Sequence, residues 1–93
     1  MKLSVFKTNR EYAEYLFAQA NAIEDNGLRI ASQNLKNAKQ GWGREEFLKY
    51  NNIPEDKADQ EWAHHIEWIE GEVSYLKKKI KTLRNKAEKA LRA

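Results

Sequence analysis

An all-α fold, a small helical bundle with one long C-terminal helix, is what three features of this sequence predict. Trp62, Ile66, Ile69, Val73, Leu76, Ile80, Leu83, Ala87 and Ala90 are spaced alternately four and three residues apart. That is a heptad seam sustained over about four repeats. Charged residues make up 33% of the chain and its mean hydropathy is −0.92, a composition that suits helices exposing one broad face. Aromatic residues, at 11%, are too plentiful for a disordered chain. With 93 residues the chain forms a single domain. Residues 1–54 form an N-terminal helical body and residues 55–93 form the long helix.

Leu3, Val5 and Phe6 make a short apolar patch, read as a brief strand or an arm tucked against the helices. Thr8 then reads as an N-cap, with Glu11 completing a capping box. A first helix follows over residues 9–24, with Ala13, Leu16, Phe17, Ala20 and Ile23 on one face and Tyr12 beside them. Asp25-Asn26-Gly27 is a stop signal, since Gly27 can take the left-handed conformation cheaply. A second helix over residues 28–40 carries Leu28, Ala31, Leu35 and Ala38. The apolar period also runs through Gly27, so one helix over 9–40 is the competing expectation, and the break is favoured. The region from Leu16 to Ala38 resembles a single tetratricopeptide helix pair. With no second copy in the chain, the resemblance implies no repeat array.

Gly41-Trp42-Gly43 is the clearest connector, with Trp42 expected to fold back onto the core. A short helix over 44–50 presents Phe47, Leu48 and Tyr50 and ends at Asn51-Asn52. Asn52 then reads as the N-cap of the last helix, with Glu55 in the capping-box position and Pro54 tolerated in the first turn. Fully helical, that last stretch spans about 57 Å, longer than a compact domain of this size is wide. Its first half is expected to pack on the body and its second half to project.

With a at Ile66, Val73, Ile80 and Ala87, the d positions are Trp62, Ile69, Leu76, Leu83 and Ala90. β-Branched residues at a with leucines at central d positions favour a parallel two-stranded coiled coil. Ile66, Ile69, Val73, Leu76, Ile80 and Leu83 are therefore the candidate interface, with a homodimer the expected state. The alternatives are a seam covered by the chain's own helices or by a heterologous helix.

Charge is distributed unevenly. Residues 77–93 hold eight Lys/Arg against one Glu, a net of +7, while residues 1–76 hold nine against thirteen, a net of −4. Lys77, Lys78, Lys79, Lys81, Arg84, Lys86, Lys89 and Arg92 are the candidate contacts to an acidic protein surface or to phosphates. The plainer reading of this run is a solvated helix whose cations complement its C-terminal dipole. Base-specific recognition is not expected, because Thr82 and Asn85 offer little base-reading chemistry. A helix-turn-helix over residues 44–70 is disfavoured, since Glu55, Asp56, Asp59 and Glu61 would face phosphates.

Off the seam, Trp68 and Tyr75 form a two-aromatic stripe. They are candidate binding hot spots, against the plainer reading that both are buried on a second face of the helix.

Catalytic and metal motifs are sparse. Cysteine is absent, which excludes disulfides and thiolate metal sites. Glu61-x-x-His64 has the spacing used in di-iron bundles, but it is a single motif pointing away from the seam. Glu61 with His65 reads as a helix-surface pair. No nucleophile motif or phosphate-cradling glycine loop accompanies the histidines. The expectation is a non-enzymatic interaction protein, an adaptor or inhibitor, with no cofactor and no metal. In size and style it resembles phage-type accessory factors. No apolar run suits a membrane span or a signal peptide, so a cytoplasmic location is the default expectation. The alternative function is nonspecific nucleic-acid binding through the basic end.

Overall fold

Residues 6–93 are described by a computed structural model. They form helices α1 (Asn9–Ala22), α2 (Arg29–Lys39), α3 (Arg44–Tyr50) and α4 (Ala58–Arg92), with a π-helical segment (Ile23–Leu28) between α1 and α2. A short 3₁₀ turn (Glu55–Lys57) leads into α4. The all-α class and the long C-terminal helix are as the sequence predicts, and the described residues contain no strand. Leu3 and Val5 lie outside the described residues. Phe6 packs its ring 5.4 Å from Tyr12 and 5.1 Å from Tyr15.

Thr8 caps α1 as expected, its Oγ1 accepting from the Glu11 N–H at 3.1 Å. The expected break at Gly27 does not occur. Ala22, Ile23, Leu28 and Arg29 keep right-handed helical geometry, and the segments form one continuous rod from α1 to α2. The physical reason lies in the apolar spacing. Steps of three and four run from Ala13 to Ile23 and from Leu28 to Ala38, but Ile23 and Leu28 are five apart. A π-turn absorbs the extra residue, so the apolar faces on either side of it stay in line. Ile23 and Leu28 are both half-buried.

The rod ends in a Schellman motif. Gly41 N–H donates to Ala38 at 2.9 Å and Trp42 N–H to Asn37 at 3.0 Å, with Gly41 at φ 89°. The same motif closes α3. Ile53 N–H donates to Leu48 at 3.0 Å and Asn52 N–H to Lys49 at 3.2 Å, with Asn52 at φ 51°. Asn52 therefore terminates α3 and does not cap α4, correcting the sequence expectation. A left-handed C′ residue cannot also supply the extended N-cap geometry. Pro54 provides that extended residue before the 3₁₀ turn.

The rod folds back antiparallel along α4. At one end Ala13 and Leu16 pack on Ala87, with Tyr12, Phe17, Leu83 and Ala90 around them. At the other, Ala38 packs on Trp62 and Ile69, with Leu35, Phe47 and Ile66. Between them, a Cβ placed on Gly27 would come within 3.8 Å of the Leu76 side chain, so the π segment passes close over the middle of α4. Among the described residues alanine supplies half of the buried positions (Ala13, Ala20, Ala38, Ala58 and Ala87), which lets the two rods approach closely. The molecule measures 59 × 24 × 16 Å, so its thinnest dimension is little more than one helix. Among the described residues no large side chain is fully enclosed.

The second half of α4 does not project, contrary to expectation. α1 lies along it, because the continuous rod carries its apolar face back past the middle of α4.

Candidate functional site

Every seam position is buried or half-buried beneath the chain's own helices: Ile66, Ile69, Val73, Leu76, Ile80 and Leu83 are all covered in this way. The exposed surfaces to either side of the seam are left as candidates.

Helical geometry, at 100° per residue, puts His65, Trp68, Glu72 and Tyr75 on one flank of the seam and Lys77, Lys81 and Arg84 on the other. The first flank meets α2 in an open groove of about 790 Å³. Its floor includes Ala38, Trp62, Ile69 and Leu76, and its α2 wall includes Ile30, Asn34 and Asn37. Trp42 closes one end, carried there by the Schellman turn. His65 stacks on Phe47 at 4.4 Å and lies nearly parallel to Trp68 at 6.3 Å. Phe47 also meets Trp62 edge-on at 5.5 Å, so the aromatic cluster continues from the core out to the surface.

Two expectations are corrected here. Trp42 does not fold back onto the core but is 67% exposed. Trp68 and Tyr75 are not on a second buried face; they are 65% and 60% exposed. α4 buries one face only, because the body is a single helical layer. Ile30, 53% exposed, belongs to the same surface, and sequence reasoning missed it. Its signal was an isoleucine off the Leu28–Ala31–Leu35–Ala38 face.

The opposite flank is electrostatic. Arg84 donates to Glu24 at 2.8 Å and to Asn21 at 3.0 Å, tying α4 to the end of α1 and the π segment. The hydrogen bond and charge of Arg84 hold the Glu24 carboxyl below the usual carboxylate range. Lys39 pairs with Glu70 at 3.3 Å, and Arg44 pairs with Asp59. Arg84 is thus committed within the chain. Arg92 has Glu88 at 3.9 Å. Lys77, Lys78, Lys79, Lys81, Lys86 and Lys89 are exposed and form no ion pair among the described residues. Lys77, Lys81 and Arg84 share a shallow groove of about 440 Å³ with Leu28 and Ile80.

His64 lies 3.7 Å from Glu61 on the outer face, and among the described residues no three His, Asp or Glu side chains converge. Among the same residues, no helix is long and apolar enough to cross a membrane. The chain matches no protein-family model, no curated protein and no solved structure.

Proposed function

We propose that this chain is a non-enzymatic interaction module that docks on a macromolecular partner through the exposed flank of α4 beside α2. The observation that carries this is the pair of exposed indoles, Trp42 and Trp68, standing at the margins of an apolar groove. Tryptophan set in an apolar pocket is the residue type most often found at binding hot spots. The groove is held by packed helices, so docking there needs little ordering of the chain. The exposed lysines further along α4 favour a protein partner with an acidic surface, and self-association belongs to the same reading. Adaptor and inhibitor are the two roles such docking serves.

Affinity purification from the native host tests it, with wild-type chain and a Trp42→Ala/Trp68→Ala variant as parallel baits. A protein captured by the wild type and lost with the variant supports the proposal. A partner held equally by both overturns docking at this groove.

The six exposed lysines of α4 support a second reading, nonspecific nucleic-acid binding. Its mark is affinity that falls by orders of magnitude as salt rises. The test uses full-length chain with Lys78, Lys81 and Lys89 changed to Gln. Removing residues 77–93 would uncover Ala13 and Leu16, so a truncation would confuse unfolding with lost contacts. Absence of DNA and RNA binding at low salt sinks this reading.

A further inference from the structure

We propose that a second copy of this chain occupies the aromatic face, docked antiparallel about a two-fold axis near Tyr75. The inference rests on the docking reading above and names its occupant. Its basis is a second stripe on α4, beside the seam, that runs from Glu61 to Lys89 at alternating four- and three-residue steps and includes Trp68, Glu72, Tyr75 and Lys79.

That stripe is acidic at one end, aromatic in the middle and basic at the other. Such a pattern is complementary to itself when reversed. Centred on Tyr75, an antiparallel pair sets Glu72 of each copy against Lys79 of the other. It also sets Glu61 against Lys89. Both pairings occur twice, as a two-fold interface requires. Trp68 falls opposite Thr82, between Lys79 and Lys86 of the second copy. Lysine stems cover an indole face well, and their ammonium groups are attracted to it. A parallel pair would instead set like charges against each other.

The structure provides room and motive for such a cover. Glu72, Lys79 and Lys89 form no ion pair among the described residues. Trp42, Trp68, Tyr75 and Ile30 are more than half exposed. From Glu61 to Lys89 the stripe runs about 42 Å. Two helices wide, that face suffices for the roughly 800 Å² per partner that a stable dimer buries. A layer only 16 Å thick leaves its large side chains partly uncovered, and a second copy laid on this face covers them. This pairing differs from the parallel coiled coil expected from the heptad, whose seam is already filled.

The test is sedimentation equilibrium of the full chain over a micromolar series, with Glu72→Lys, Lys79→Glu, the double variant and an equimolar mixture of the two single variants. Both sites are exposed, and circular dichroism checks that each variant stays helical. Wild type is expected to dimerise. Each single reversal creates two like-charge pairs and weakens the dimer by roughly tenfold. The double variant and the mixture restore it, because both re-form opposite pairs between copies. Residues 72 and 79 are two turns apart on one helix, so no pair within a chain explains that rescue. A wild type of monomer mass throughout overturns the proposal. So does a dimer that every variant forms at wild-type strength, or a mixture no tighter than its components. These measurements need no other macromolecule, so their failure is separate from failure to capture a partner.

Discussion

Glu24 and Arg84 are sixty positions apart in the sequence and 2.8 Å apart in the fold. The folded-state pKa of Glu24 is depressed, so its contribution to stability is fully present above the unfolded value of about 4.3. That contribution is lost as pH falls through the lower folded value. Wild type should therefore be more stable than Glu24→Gln at neutral pH, and the gap should close in acid. Urea midpoints of both chains across pH 2–7 check this, and a gap independent of pH would contradict it. Two glycines are predicted to behave oppositely. Gly71 is helical, and a Cβ there meets nothing within 4 Å. Gly71→Ala should stabilise by about 0.5–1 kcal/mol through helix propensity alone. Gly41 has φ 89°, so Gly41→Ala should destabilise by about 1–2 kcal/mol. Thermal unfolding of the two variants separates these signs.

At the scale of elements, the π segment determines whether the rod can follow α4 from end to end. It absorbs one residue, so deleting Asn26 should turn the segment into ordinary α-helix and leave both apolar faces on α4. Deleting Ser32, inside α2, should rotate everything beyond it by about 100° and strip Leu35 and Ala38 from the core. Circular dichroism melts should show the first deletion folded and the second largely unfolded. The seam itself is tested by Ile80→Ala. Ile80 is buried, and its truncation should cost about 2–5 kcal/mol. Trp68→Ala, on the exposed flank, should stay within about 0.5 kcal/mol of wild type when both are compared as monomers at high dilution. A reversed ranking would mean that the seam faces outward in solution.

At the scale of the whole molecule, the long hairpin separates charge. The acidic ends of α3 and α4 lie at one pole and the lysines of α4 at the other, along an axis of 59 Å. A compact chain of this length has a radius of gyration of about 13 Å, while this one has 18.9 Å. Small-angle scattering of the monomer should return the larger value, together with a rod-like distance distribution. A value near 13 Å would mean that α4 is bent or the rod has folded at the π segment. Elongation also increases surface for a given mass. That is why a chain of this length keeps two indoles and Tyr75 exposed on one face.

The sequence by itself determined the all-α class, the length of α4, the cap at Thr8, the bounds of α3 and the burial of the seam positions. Each follows from local periodicity or from terminal chemistry that a few neighbouring residues decide. It also singled out Trp68 and Tyr75 as lying off the seam. What covers the seam was left to the tertiary structure, because a heptad states that a face must be buried and not by whom. Continuity through Gly27, the coverage of the second half of α4 and the exposure of Trp42 and Trp68 were decided there too. Gly27 could end a helix as easily as sit within one, and the burial of both apolar faces along α4, kept in line by the π segment, settled the choice. The pairing of Arg84 with Glu24 depends on the register of two rods joined by a distant turn. No stretch of sequence shorter than the whole hairpin contains that register.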